Sequence, residues 1–303
     1  VRRAVRENLS DLSADAVVLV ALSGGPDSLA LAAGLAFEAP RAGLLAGAVI
    51  VDHGLQEGSE QVAQSAAEHA TALGLDPVII RRVKVEVASG PEADARTARY
   101  GALESVAQEL GAVAVLLGHT LDDQAETVLL GLTRGSGATS LAGMSEINGL
   151  YRRPLLGIRR AQTVAACENQ GLTAWNDPHN LDPSYTRVRI RTEIMPQLES
   201  QLGPGVTEAL ARTAEQLKQD AVVLDSLADQ IMPTVFTPLL GEGSMPPRAT
   251  LEVAELDGVP QAILGRVIRK AALDFGTSLS AVHTNSIARL ITDWHGQGEV
   301  HVP

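Results

Sequence analysis

Four short apolar, β-branched runs, Ala16–Leu22, Gly47–Val51, Pro77–Val83 and Ala112–Leu117, are separated by helix-length segments rich in Ala, Leu, Glu and Gln. Those segments are Asp27–Phe37, Glu57–Leu73, Pro91–Leu110 and Leu121–Leu132. Strands that are apolar on both faces cannot lie against water, so the pattern predicts an α/β domain with a parallel sheet covered by helices on both sides. In such sheets ligands bind beyond the carboxyl ends of the strands.

The segments at those ends are chemically distinctive. Ser23-Gly24-Gly25-Pro26-Asp27-Ser28 follows the first strand. Its two glycines let the backbone fold closely around an anion, and the amides at a helix start can cradle phosphate. The Gly-Lys-Ser/Thr of the Walker loop is missing, so no lysine serves a γ-phosphate. Asp52-His53-Gly54 follows the second strand, and Gly118 to Glu126 the fourth. There Asp122, Asp123 and Glu126 stand three and four residues apart, which groups three carboxylates on one helix behind His119. Read from the residues alone, they either favour the helix dipole or hold a cation, which is magnesium on a nucleotide or a substrate ammonium.

Composition narrows the classes. The 303 residues suffice for two domains, 45% are hydrophobic, and the longest clean apolar stretch, Ala42–Val51, is too short to span a bilayer. Val1-Arg2-Arg3 ahead of Ala16–Leu22 lacks a cleavage pattern, so the expectation is a cytoplasmic protein with no membrane partner. Cys167 is the sole cysteine and permits no internal disulfide or cysteine-rich centre. A net charge of −12 argues against indiscriminate nucleic-acid coating but leaves room for a local basic patch. Such a patch is expected at Tyr151–Arg191, where seven Arg meet three acids and Tyr151, Trp175 and Tyr185 are interleaved. Arginines with aromatics suit an unpaired base and its flanking phosphates.

Beyond Thr133 the strand–helix alternation ends. Helices are expected at Arg159–Gln170, Tyr185–Glu199, Gly205–Gln230, Val259–Phe275 and Ser280–Ile291, a linker at Pro233–Pro247, and a closing strand at Glu299–Val302. Three regions follow: a nucleotide-binding domain over 1–200, a long linker helix and linker over 201–240, and a small, mainly helical domain over 241–303.

The Ser23–Ser28 hexamer resembles the pyrophosphate loop of the N-type ATP pyrophosphatases. Together with Val51–Leu55, Ala98-Arg99-Tyr100, Gly118–Thr127, Arg134–Gly137, Arg153–Leu156 and Trp175–Pro178, its order and spacing resemble tRNA(Ile)-lysidine synthase, firmly over 16–230 and weakly beyond. The resemblance implies an adenine nucleotide α-hydrolase-like sheet domain followed by a helical domain that recognises tRNA. It implies a ligase that adenylates carbon 2 of the wobble cytidine in a CAU-anticodon isoleucine tRNA. The side-chain amine of L-lysine then displaces AMP.

Carried over by position, Ser23, Gly24, Gly25, Pro26, Asp27, Ser28, Asp52 and Gly118 would bind ATP, and Asp27 would also hold Mg2+. Asp27, Arg99, His119 and Asp123 would form the catalytic set, with Arg99 against the activated nucleotide. Asp123, Glu126, Arg187 and Arg191 would contact lysine or tRNA, and His53 would line the adenine pocket. The family pattern usually carries Asn after the first Arg of Tyr185–Arg191, where this chain has Val188. A homodimer is compatible with the resemblance. The competing readings are a tRNA thiolase, which needs paired cysteines or a metal–sulfur centre; an NAD or GMP synthetase, which lacks the Arg-rich segment; and a non-catalytic ATP-binding module.

Overall fold

The computed structural model describes residues 1–54, 58–84, 90–135, 137–175, 177–239 and 248–302. Leu55, Ser136 and Asn176 of the motifs, and residues 240–247 of the expected linker, lie outside the described residues. In chain order the elements of the first half are α1 (Arg2–Asn8), β1 (Val17–Ala21), α2 (Pro26–Glu38), β2 (Leu45–Asp52), α3 (Ser59–Ala72), β3 (Val78–Arg82), α4 (Pro91–Leu110), β4 (Ala112–Leu116) and α5 (Leu121–Thr133). There follow α6 (Gly137–Leu141), β5 (Ile147–Asn148), β6 (Tyr151–Arg152), α7 (Arg160–Asn169), α8 (Thr186–Arg189), α9 (Met195–Leu202) and α10 (Val206–Val235). The chain closes with β7 (Phe236–Leu239), β8 (Arg248–Leu251), α11 (Gln261–Leu273) and α12 (Ala281–Thr292).

Six strands form one sheet in the order β3-β2-β1-β4-β6-β5, parallel except for the last pair. Alternation along β1 explains why both faces are covered. Val18 and Val20 join Ile50, Leu116 and the α2 residues Leu29 and Leu31 on one side, while Leu19 joins Val49, Val115 and the α4 residues Leu103 and Val106 on the other. Each fully buried Val or Leu adds about 1.5–3 kcal/mol. The expected strands and helices of this half are present to within a few residues, and the β5–β6 hairpin extends the sheet beyond them.

The chain folds as two compact units, 1–130 with 143–212, and 131–142 with 213–303. The second unit has its own core. Leu224, Ala228, Ile231 and Val235 of α10 recur at helical spacing and pack with Leu264, Val267 and Ile268 of α11 and Ala288 of α12.

Three local expectations change. The linker expected from Pro233 does not begin there, because α10 runs through Pro233 to Val235 and continues into β7, which pairs antiparallel with β8. The helix expected as a linker therefore contributes core side chains to the second unit. No strand forms at Glu299–Val302, which has no regular structure and no partner strand among the described residues. The helix expected at Tyr185–Glu199 is interrupted by a wide π turn at Ile190–Ile194 between α8 and α9.

Candidate functional site

The glycine loop leaves β1 and enters α2. Gly24 has φ +83°, a conformation that strains any residue with a Cβ, and Pro26 occupies the first helical turn, where its missing N–H costs nothing. The Ser28 hydroxyl closes the loop: it accepts from Ser23 N at 3.2 Å and donates to the Gly25 carbonyl at 3.0 Å. Trp175 braces the loop from outside, its backbone N–H donating to the Gly24 carbonyl at 2.9 Å. Gly118, after β4, lies against the start of α2, where a Cβ would stand 3.0 Å from Ser28 N. Any side chain there would push the two ligand-end turns apart.

Asp52, expected just after the second strand, is the last residue of β2, and its carboxylate is buried and accepts from Gly54 N at 2.9 Å. Burial is outweighed by that amide, the Ser59 hydroxyl and Arg82, and the Asp52 pKa falls. Asp52 thus shapes the turn that carries His53.

A capping box places the acidic residues. At the start of α5, Thr120 N and Oγ1 both donate to Asp123 Oδ2 at 2.8 Å, so the helix start itself fixes the Asp123 rotamer. Glu126, one turn on, is 1% exposed. Asp122 leaves the expected cluster; it points toward α7 and accepts from Arg160 N at 2.7 Å.

Arginines fill the remaining carboxylate positions. Arg160 reaches Asp27 Oδ2 through Nε at 3.1 Å, Asp123 Oδ1 through Nη2 at 2.7 Å and Glu126 Oε1 through Nη1 at 3.4 Å. Arg191, in the π turn, grips Glu126 through two hydrogen bonds, and Arg187 lies 3.4 Å from Glu126 and donates to the Thr127 hydroxyl. Thr163 donates from its hydroxyl to Asp27 Oδ1.

The charges respond accordingly. Burial raises the Asp27 pKa against the pull of Thr163 and Arg160. Burial also acts on Asp123, but Arg160 and the two Thr120 donors overcome it, so the Asp123 carboxylate stays ionised.

Arg99, His119 and His53 share an electropositive neighbourhood. Arg99 has a lowered pKa from burial and from the neighbouring charges of Arg96 and Arg187, and among the described residues no carboxylate pairs with it. Burial pushes the His119 pKa down to about 4, with Arg153, Arg99 and Arg187 adding to the effect against Asp123. Its Nδ1 is buried with no partner among the described residues. His53 is lowered by burial and by Arg99. Mutual repulsion of this kind favours an anion among Arg99, Arg187 and His119.

The expected basic RNA-facing patch at 151–191 is largely turned inward. Arg152 is 7% exposed and binds Asp11, Arg153 is 6% exposed and donates to the Ser145 carbonyl, and Arg160, Arg187 and Arg191 serve the acids above. Net charge along a segment does not reveal which guanidiniums the fold consumes. Sequence reasoning missed Arg160, Thr120, Thr163 and the loop-bracing role of Trp175. The Thr120-Leu121-Asp122-Asp123 capping pattern was the available signal for Thr120. A cleft of about 220 Å³ opens beside Glu126, Arg160 and Arg191, bounded by Met195 and Glu199.

The chain matches known proteins along most of its length. Residues 1–198 match the PP-loop domain family, and residues 251–303 match the TilS substrate binding domain. A tRNA(Ile)-lysidine synthase of Leifsonia xyli subsp. xyli is 55% identical, covering 96% of this chain and 87% of that protein. Another, from Thermobifida fusca, is 54% identical over 100% of this chain and 92% of that protein. Among solved structures, a U34-tRNA thiolase, NcsA from Methanococcus maripaludis with its [4Fe-4S] cluster, has the same fold at TM-score 0.60 and 22% identity, covering 71% of this chain and 77% of that one. Relatives more than half identical over nearly the whole chain show that it belongs to the tRNA(Ile)-lysidine synthase family.

Proposed function

We propose that the chain is an ATP-dependent ligase that adenylates the wobble cytidine of a CAU-anticodon isoleucine tRNA and attaches L-lysine, releasing pyrophosphate and AMP. The observation that carries this reading is the meeting of two half-sites. Asp27 of the glycine loop and the buried acids Asp123 and Glu126 are linked through one guanidinium at the ligand end of the parallel sheet.

The residues fit ATP. Gly24 in its left-handed conformation and the Cβ-free approach of Gly118 leave backbone, not side chain, around the loop, and the first turn of α2 favours phosphate. They also fit Mg2+ delivered with the nucleotide. Asp27 Oδ2, paired here with Arg160 Nε, would offer a hard oxygen once that guanidinium leaves it, and magnesium typically takes one or two carboxylates beside phosphate oxygens and water. When bound, the ion neutralises phosphate charge. Arg99, with no acid partner among the described residues, then offsets the charge of the α-phosphate as cytidine O2 attacks it and pyrophosphate leaves.

In the second step the lysine amine attacks carbon 2 and AMP departs. Asp123 and Glu126 attract the lysine ammonium, and His119, kept neutral by burial, lies within electrostatic reach of Asp123 with its Nδ1 unpartnered among the described residues. The 220 Å³ cleft borders Glu126 and Arg160 and is smaller than typical drug-sized pockets. The second unit, which includes the match to a substrate binding domain, would hold the tRNA body. Sulfur transfer is disfavoured because the chain's one cysteine, Cys167, is buried with its thiol on the Pro26 carbonyl.

Pyrophosphate release tests the reading. ATP with tRNA should release pyrophosphate, and lysine should be needed for turnover to AMP and modified tRNA. ATP binding without release under any combination would leave a non-catalytic module instead.

A further inference from the structure

Arg160 joins the two half-sites, yet the family resemblance assigns it no role. Each of its three guanidinium nitrogens meets a different carboxylate: Nε meets Asp27, Nη2 meets Asp123 and Nη1 meets Glu126. Its backbone is anchored, because its N–H donates to Asp122 and its carbonyl accepts from the Thr163 hydroxyl at 2.7 Å, so a change of partner falls to the side chain alone. The other oxygens of the acids also have donors. Asp123 Oδ2 is held by Thr120, and both Glu126 oxygens are held by Arg191. Three carboxylates, Asp27, Asp123 and Glu126, are balanced by Arg160, Arg187 and Arg191.

An ammonium arriving at this cluster gains little. Every acid is already paired, and three guanidiniums repel it. We propose that Arg160 is a positioning residue that keeps the lysine site closed in the free protein and opens it by exchanging partners when the nucleotide binds. This rests on the ligase reading above. Among the described residues, Arg160 is the cation that pairs with both Asp27 of the loop and the acids of α5. Phosphates placed at the loop compete for its guanidinium, and guanidinium matches phosphate geometry as well as it matches carboxylate. As Arg160 turns to the phosphates, Asp123 and Glu126 lose one of their cations, and the lysine ammonium takes its place. Nucleotide and lysine binding are then coupled, and each raises the affinity of the other by the same factor.

Calorimetric titration of L-lysine, with and without magnesium and α,β-methylene-ATP, measures that factor. The native protein should bind lysine about ten-fold more tightly with the analogue present. In Arg160→Gln the factor should fall to within about two-fold, while lysine binding without nucleotide is no weaker than in the native protein. Arg160→Lys retains a point charge that cannot span three carboxylates, so it should fold, as circular dichroism will report, and show an intermediate factor. Equal lysine affinity with and without the analogue in the native protein would overturn the proposal, as would full coupling in either variant. Lysidine formation by the same native preparation separates the two levels: its absence removes the ligase reading, whereas its presence with no coupling removes only the partner exchange.

Discussion

Arg191 grips Glu126 with two parallel hydrogen bonds, Nε to Oε1 at 2.8 Å and Nη2 to Oε2 at 3.0 Å, around a carboxylate that is 1% exposed. Removing one partner of a buried pair strands the other charge. Arg191→Met should cost about 2–3 kcal/mol, below the usual penalty because Arg160 and Arg187 remain beside Glu126. Urea unfolding will read the loss, and adding Glu126→Gln to Arg191→Met should recover part of it. A change confined to tRNA affinity would instead show that Arg191 faces the RNA.

The sequence carried the sheet order less well than the elements. Apolar runs such as Val17–Ala21 and Ala112–Leu116 announce buried strands by composition alone, and Gly24 announces a loop because so few residues tolerate its conformation. The β5–β6 and β7–β8 pairs were illegible because strands of two and four residues have no measurable periodicity. At the site, the acids of α5 were visible from three- and four-residue spacing, but the fates of Asp122 and Arg160 were not. Both depend on α7 arriving at α5 across nearly forty positions of chain, which is tertiary information. The same holds for Trp175, whose contact with Gly24 uses only its backbone N–H.

Gly118→Ala tests the close approach of the two ligand-end turns. The added Cβ would lie 3.0 Å from Ser28 N and 3.1 Å from the Asp27 carbonyl carbon, both backbone atoms that cannot rotate away. Overpacking of this kind costs about 1–3 kcal/mol. Thermal unfolding should show that loss, and the apparent KM for ATP should rise more than that for lysine. A stable variant with unchanged ATP kinetics would place the nucleotide away from this junction.

His119 gives a pH signature. Its folded pKa of about 4 lies below the ordinary 6.5, so the unfolded chain takes up the proton first. Its contribution to stability is complete above about pH 6.5 and is lost as pH falls toward 4. NMR of ring-labelled histidine should show one resonance titrating near 4 that disappears in His119→Asn. The pH–rate profile of the native enzyme should carry no inflection near 6.5 from this residue. A His119 resonance titrating at 6.5 would mean the imidazole is exposed to water and not enclosed with Arg99 and Arg187.

On the ligase reading, the glycine loop and the acids of α5 serve one reaction on one nucleotide. Nucleoside analysis by mass spectrometry of CAU-anticodon isoleucine tRNA, after incubation with the protein, magnesium, ATP and L-lysine, tests it most directly. The wobble cytidine should become lysidine only when both ATP and lysine are present, with one AMP formed per lysidine. Asp27→Asn and Glu126→Gln should each abolish the product. Unchanged cytidine with the native protein, or lysidine formed at native rates by either variant, would show that the loop and the acids do not serve this reaction.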